Sequence, residues 1–165
     1  MFVGHMPAGY ILTSAMRGRA PSWNKALMAT GLVASILPDA DLLWFYMVDQ
    51  RQTVHHAYIT HTPAFWLGVA AAALTVCWVM KWRVGPLFVG VALANVLLHL
   101  ALDSIAAEVY WLWPFPVLPV NIVHIPAHYG WWVWNFVLHW TFALELIVIL
   151  VAVVLWTSQR KRPER

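Results

Sequence analysis

The sequence predicts an all-α integral membrane protein with four transmembrane helices, a short N-terminal half-helix and an outer interfacial segment rich in proline and tryptophan. The first observation behind this fold class is composition: of 165 residues, 62% are hydrophobic, only 10% are charged, and mean hydropathy is +0.68. A soluble domain has about 25% charged residues, so apolar surface on this scale requires lipid as the solvent. The other two observations are that four apolar stretches are long enough to cross a bilayer and that basic residues cluster near their ends.

The length of each apolar stretch defines the predicted helices. Residues 5–16 would reach about 18 Å as a helix, roughly half of a membrane. Residues 26–48 are long enough to span but contain Pro38, so we expect this helix to be broken or bent there. The other three predicted spans are residues 63–80, 85–102 and 131–156.

Residues 104–130 are predicted to lack regular helix. Four prolines lie between positions 114 and 126; this density prevents a continuous helix, while the tryptophans at both ends favour the membrane interface. The segment is either a cover over a site beneath it or a passive interfacial loop. No internal repeat divides the chain, so we expect one membrane domain over residues 1–157 and a basic tail over residues 158–165.

The positions of lysine and arginine predict how the chain is oriented. Apart from Arg51, they all fall within residues 17–25, 81–84 and 157–165. The positive-inside rule places these three regions in the cytoplasm, and the loops after the first and third spans on the outer side. Because topology accounts for the net charge of +3, we do not expect nucleic-acid binding.

Ionisable residues of the predicted helices converge at one depth, in the outer half of the membrane. Counted from the cytoplasmic ends, Asp39 and Asp41 lie about 20–22 Å up, His99 about 21 Å and Asp103 about 27 Å. His5 lies about 18 Å up the half-helix. Ionisable groups inside spans are rare and usually functional, so this convergence predicts one shared site that is open to the outer face.

The stretch HHAYITHTP, residues 55–63, leads into the second predicted span from the outer side. If it forms a loop, His56 and His61 can both turn toward the site, with Thr60 beside them as a hydrogen-bond donor. His55 is then expected to support a ligand or to face the substrate. A solvated loop is the alternative interpretation.

Spacing relates the remaining candidates to this site. His99 and Asp103 are four residues apart and therefore point to the same side of a helix. Asn95, one turn below, either supports a ligand or, as we favour, bonds to another helix. The two carboxylates of LPDAD, residues 37–41, would point about 200° apart on a straight helix, so both reach the site only if the proline unwinds the turn. Further candidate ligands or supporting groups are His124, His128 and Glu145.

The candidate ligands supply nitrogen and oxygen but no thiolate, because the single cysteine, Cys77, lies on the cytoplasmic half of its span. Imidazole and carboxylate groups suit Zn²⁺, Mn²⁺ or Fe²⁺, and they outnumber the ligands of one tetrahedral ion, so two ions with a bridging aspartate are an option. A metal-activated water would be the nucleophile, with Asp41 and His56 as the catalytic candidates. The predicted metal ligands are His5, Asp39, Asp41, His56, His61, His99 and Asp103.

Together with a histidine near the start, the motifs LPDAD (37–41), HHAYITHTP (55–63), HLALD (99–103) and LWPF (112–115) resemble the YdjM-type inner-membrane metal-dependent hydrolases of bacteria. That family has PD-x-D, H-R-x-x-T-H and H-x-x-L-D patterns in the same order. The family's arginine is Ala57 here, and its spacing to the Thr-His pair selects His56 rather than His55 for the ligand role. The family is in turn distantly similar to zinc-dependent phospholipase C, so the resemblance implies phosphoester hydrolysis in a multi-pass protein of the bacterial inner membrane.

These observations predict a membrane-embedded metal-dependent hydrolase that cleaves a phosphoester of a lipid or another amphiphile at the outer leaflet. The expected partners are the bilayer and that substrate, and self-association is left open. The alternatives are a proton- or ion-coupled carrier and a non-enzymatic membrane protein with a structural metal. The scarcity of deep polar residues in the cytoplasmic half argues against a carrier.

Overall fold

The computed structural model describes residues 3–18 and 20–160, and α-helices dominate its secondary structure. These ranges hold no strand beyond one isolated antiparallel bridge between Val109 and Val120, so the all-α prediction is confirmed for them. The α-helices are α1 (His5–Met16), α2 (Asn24–Ala34), α3 (Leu42–Met47), α4 (Pro63–Val79), α5 (Gly85–Asp103), α6 (Trp132–Val137) and α7 (Thr141–Arg160). Short 3₁₀ turns cover Pro21–Trp23, Pro38–Asp41, His55–Ala57 and Ile59–His61.

The α5 helix lies at the centre of the packing. It contacts α1, α2 and α4, while α1 also packs against α2 and α7. The helices α1 and α2 approach closely at glycine positions: a Cβ on Gly31 would lie 1.9 Å from Thr13 Oγ1, and one on Gly9 would lie 2.5 Å from Ser35 Cβ. Small residues allow this kind of backbone approach between membrane helices. The helices α1, α2 and α5 therefore form a tight unit.

Large apolar side chains are exposed on the outer helices, for example Trp78 on α4 at 80% and Leu150 on α7 at 62%. By length and composition α5 and α7 are candidate membrane spans, and the bent pair Pro21–Ala34 and Pro38–Met47, with 48° between its halves, is a third. The apolar α4 has 17 residues, which gives about 26 Å of helix against a hydrocarbon core of about 30 Å. The structure thus offers two or three candidate spans where four were predicted.

Two predicted helix features match the structure and one is wrong. The α1 helix occupies the predicted half-helix, and the first predicted span breaks at Pro38. The predicted span 131–156 is instead two helices, α6 and α7, and the chain between them turns at His139, whose Nδ1 lies 2.9 Å from Thr141 Oγ1. Polar side chains that bond locally compete with a continuous helix, which the length of an apolar stretch does not reveal.

The segment between α5 and α6 has no α-helix, as predicted from its prolines. It turns back on the end of α5, where the backbone N–H groups of Ile122 and Val123 donate to the carbonyls of Ser104 and Ile105, both at 2.8 Å. At the other end of the chain, α7 includes the first residues of the predicted tail 158–165, whose residues 161–165 lie outside the described ranges.

Candidate metal centre

Four buried or partly buried side chains at one end of the tight helical unit can hold one cation. We call them the four-ligand group: Asp39, His61, His99 and Asp103, whose ligand atoms all lie within 4.8 Å of one another. Asp39 comes from the 3₁₀ turn after α2, His61 from the turn before α4, and the other two from the last turns of α5.

The distances within the four-ligand group match the size of a metal ion. His99 Nε2 lies 2.9 Å from Asp103 Oδ2 and 3.6 Å from Asp39 Oδ1. His61 Nε2 lies 3.6 Å from the same Asp39 oxygen and 3.8 Å from the same Asp103 oxygen. Ligands bound tetrahedrally at about 2.0–2.1 Å from zinc would lie about 3.4 Å from one another. The described side chains therefore fit one divalent ion with little movement.

Both histidines of the four-ligand group have their Nδ1 atoms occupied by acceptors, which leaves Nε2 for a ligand. His99 Nδ1 donates to the Ser35 carbonyl at 2.8 Å, and His61 Nδ1 donates to Asp41 Oδ2 at 3.0 Å. Both Nε2 atoms are buried and face carboxylate oxygens that lie 2.9–3.8 Å away. A fixed Nδ1–H, with Nε2 turned toward other ligands, is typical of histidines that bind metals. This is the strongest sign that the group is built for a cation.

Asp41 lies behind His61 rather than in the four-ligand group. Its Oδ2 accepts hydrogen bonds from His61 Nδ1 and from the Thr60 hydroxyl, and its Oδ1 lies 3.3 Å from His55 Nδ1. The 3₁₀ turn at Pro38–Asp41 makes this possible, because it turns both carboxylates of LPDAD toward the histidines. Asp41, which was predicted to be a ligand, therefore contacts the Nδ1 atoms of His55 and His61 from outside the four-ligand group, with Thr60 beside it; its ligand role stays a prediction.

His55, His56 and His61 form a second group of possible ligands, which we call the histidine triad. Their ring centroids are 4.7–4.9 Å apart. His55 Nε2 lies 3.3 Å from Asp39 Oδ1, and His56 Nε2 lies 3.7 Å from Asp103 Oδ2. The sequence favoured His56 over His55, but the structure brings both to the site.

Two histidines of the triad have strongly shifted pKa values. Burial lowers the pKa of His56 to about 4, so its imidazole is neutral at pH 7. Burial also opposes the charge on His61, but hydrogen bonds to Asp39 and Asp41 outweigh it and raise the pKa of His61 to about 9. The carboxylates thus attract positive charge to the place where a metal would bind, and a metal at His61 would displace a proton.

His5 approaches the site from α1 on the far side of Asp103. Its Nε2 lies 3.0 Å from Asp103 Oδ1, and its ring stacks on His99 with 3.9 Å between centroids. His5 is not part of either possible ligand group. His5 contacts Asp103 Oδ1, whereas His61 and His99 of the four-ligand group face Asp103 Oδ2.

The remaining predicted residues do not join the ligand groups. Asn95 donates from Nδ2 to Thr13 Oγ1 at 3.0 Å, which is the bond between helices that we favoured. It also donates to the Val91 carbonyl of its own helix at 2.8 Å. His124 and His128 are exposed and outside both groups. The Glu145 carboxylate accepts hydrogen bonds from backbone N–H groups at the start of α1.

A cavity of about 210 Å³ opens above the site. Its polar end is formed by Asp39, His55, His56 and Asp103, and its other walls by Leu42, Tyr46, Ala106, Ala107, Trp132 and Phe136. The sequence did not single out this apolar wall or the Ser35 carbonyl, since neither has a residue type typical of a site. The four-residue spacing of Trp132 and Phe136 is a signal that could have indicated a shared face.

Comparison of this chain with curated proteins gives no match, and comparison with solved structures gives none either. The predicted distant similarity to zinc-dependent phospholipase C is not shown by these comparisons and stays a prediction. The sequence pattern of a family described as YdjM inner membrane protein matches residues 1–163, and the apolar helices agree with that description. The chain, matched over nearly its whole length, therefore belongs to the YdjM inner membrane protein family.

Proposed function

We propose that this protein is a membrane-embedded, metal-dependent hydrolase that cleaves a phosphoester of a lipid or another amphiphile. The observation that carries the proposal is the pair of buried Nε2 atoms, on His61 and His99, that face two carboxylates beneath a cavity. Asp39, His61, His99 and Asp103 would hold the ion, with zinc preferred and manganese or iron as alternatives. A bound ion would supply a Lewis acid and lower the pKa of a water molecule.

The protein's own groups orient the metal ligands and line the cavity. Asp41 and the Ser35 carbonyl fix the rings of His61 and His99 through Nδ1. His55 lies between Asp39 and Asp41 and lines the cavity, so we assign it to contact the substrate. The neutral His56 provides a further nitrogen donor at the cavity, for a second ion or for the substrate.

The shape of the cavity supports an amphiphilic substrate. Pockets that enclose a whole small molecule have volumes of about 300–1,000 Å³, and this one has about 210 Å³. It therefore fits a phosphorylated headgroup at the carboxylate and imidazole end, with the hydrocarbon chain leaving along Leu42 and the α6 aromatic residues. We further propose that this site faces the outer side of the inner membrane, with the basic segments in the cytoplasm.

Metal analysis of the purified protein in detergent micelles tests the proposal first. We expect about one or more equivalents of zinc, manganese or iron per chain in the wild type and in H139A, whose histidine lies outside the ligand groups. The variants H61A and H99A should lose the metal. Equal metal content in all four proteins, or none in the wild type after incubation with zinc, would refute a metal site here.

Release of inorganic phosphate from polyprenyl phosphates, or of a phosphorylated headgroup from phospholipids, tests the reaction itself in vesicles. Phospholipids and polyprenyl phosphates in vesicles should be hydrolysed by the wild type and H139A, and not by H99A. If the wild type binds metal but hydrolyses none of these lipids, the metal is structural and the hydrolase proposal fails.

A further inference from the structure

Glu145 is a buried carboxylate with no part in the proposed chemistry. It lies in the second turn of α7 and is only 4% exposed. Its Oε2 accepts hydrogen bonds from the backbone N–H of Val3 at 2.5 Å and of Gly4 at 2.9 Å. A buried carboxylate in an apolar setting is unfavourable unless donors satisfy it, and these two bonds contribute to satisfying Glu145 inside the helix packing.

The two N–H groups belong to the residues that precede α1. The first N–H groups of a helix have no partner within the helix, and Gly4, the N-cap residue, has no side chain to accept them. Glu145 fills this role from another helix. Its charge also lies at the positive end of the α1 dipole, which strengthens the contact. The carboxylate therefore holds the beginning of α1 against α7.

The residue that follows this contact is His5, the first residue of α1. His5 donates to Asp103 Oδ1 over 3.0 Å and stacks on His99 at 3.9 Å between ring centroids. The position of its backbone depends on where the two preceding residues lie. Glu145 is thus connected to Asp103 and His99 through the backbone of Val3 and Gly4 and the side chain of His5.

We propose that Glu145 is a positioning residue for the candidate metal centre: by capping the start of α1, it places His5 against Asp103 and His99. This rests on the proposed function, because it assigns Asp103 and His99 as metal ligands. Loss of groups that orient metal ligands lowers metal affinity by about 10–100-fold. We expect the same range for loss of the Glu145 cap.

The chain provides a matched control at the opposite end of α1. Gln159 Oε1 accepts hydrogen bonds from the Tyr10 hydroxyl at 2.9 Å and from Arg17, so it also joins α7 to α1. It lies 14 residues after Glu145, or about 21 Å along the helix. Q159A therefore loosens the same pair of helices without disturbing His5.

The test is zinc affinity, measured by chelator competition with the full-length protein in micelles. E145A should bind zinc about 10-fold or more weakly than the wild type, and Q159A should bind it equally well. E145Q should retain most of the affinity, because its amide oxygen can accept the same N–H groups. In the H5A background, E145A should cause no further loss. An equal loss in E145A and Q159A, or an additive loss in the double variant, would overturn the positioning role.

A second measurement, on metal-free protein, separates this inference from the proposed function. The imidazole resonance of His5, identified by its absence in H5A, should be shifted by the stacked His99 ring. E145A should move that resonance and Q159A should not. If the wild type binds no zinc but E145A moves the resonance, the metal function fails and the placement of His5 stands. If zinc binds and E145A changes neither the resonance nor the affinity, the positioning role is wrong.

Discussion

Two irregular segments, residues 49–62 and 104–130, both contain histidines, yet only the first brings them to the candidate metal centre. The histidine triad lies within 3.0–3.8 Å of the carboxylates of Asp39, Asp41 or Asp103. The second segment leaves its own His124 and His128 exposed. Histidine content alone therefore does not identify a site.

The difference lies in what the histidines face, because side-chain hydrogen bonds anchor both segments. In loop 49–62, Asp49 accepts from the Thr53 backbone and hydroxyl at 2.7 and 3.1 Å, and Trp66 Nε1 donates to the Thr60 carbonyl at 2.6 Å. These bonds fix both ends of the stretch that carries the triad. In the second segment, Trp111 Nε1 donates to Ser104 Oγ at 2.8 Å, the Asn135 amide bonds to the Tyr129 backbone, and backbone hydrogen bonds join the chain to the end of α5. These bonds place the chain but leave His124 and His128 exposed. A histidine joins the site where a buried carboxylate lies opposite it.

The largest effect should come from removing a histidine that both ligand groups share. H61A should lower zinc affinity by at least about 100-fold, beyond the usual effect of losing a supporting group. H128A, from the second segment, should bind zinc as the wild type does. Chelator competition measures both. Similar losses in the two variants would show that the comparison between the segments is mistaken.

The next largest effect should come from the carboxylate behind His61. D41N retains the shape of the side chain but no longer offers a charged acceptor to His61 Nδ1, so zinc affinity should fall about 10–100-fold. D49N provides the matched change at the start of the same loop, where the carboxylate contacts Thr53 and no histidine. It should alter zinc affinity much less. If D41N binds zinc normally, Asp41 does not orient His61.

The pH dependence of zinc binding gives the next effect. The pKa of His61 is raised to about 9, so at lower pH zinc must displace its proton. Affinity should therefore weaken about 10-fold per pH unit as pH falls from 8 to 6. His56, with its pKa lowered to about 4, does not compete over this range, so H56A should show the same slope. An affinity that does not change between pH 6 and pH 8 would contradict the prediction.

The features that the sequence predicted correctly depend on local geometry. Residues spaced i, i+4, such as His99 and Asp103, lie on the same side of any α-helix. A proline such as Pro38 interrupts a helix whatever packs around it. Counting residues from the predicted cytoplasmic ends placed His5, Asp39 and His99 at one depth. The structure brings them together: His99 Nε2 lies 3.6 Å from Asp39 Oδ1, and the His99 ring stacks on His5 with 3.9 Å between centroids. A rise per residue is enough to predict depth, but not which faces meet.

The features that the sequence missed depend on contacts between distant segments. The Ser35 carbonyl is a backbone group, so no residue type marks it as the partner of His99. The choice between His55 and His56 depends on the path of the loop, and both end up at the cavity. The part of the cavity wall formed by α6 could not be predicted, because the apolar composition of residues 131–156 conceals that the predicted last span divides near His139.

The smallest effect should come from the anchor of the histidine loop. W66F keeps the aromatic ring but removes the Nε1–H that donates to the Thr60 carbonyl. A hydrogen bond of this kind contributes about 0.5–1.5 kcal/mol, so the docked loop becomes less favourable and zinc affinity should fall by less than about 10-fold. The control is W131F, which changes an exposed tryptophan at the end of the second segment and should leave zinc affinity unchanged. If W66F weakens binding as strongly as D41N, the loop is held mainly by the hydrogen bond from Trp66 to the Thr60 carbonyl. If W66F and W131F are indistinguishable from the wild type, contacts between the triad and the carboxylates are sufficient to dock the loop, and the hydrogen bond to Thr60 is incidental.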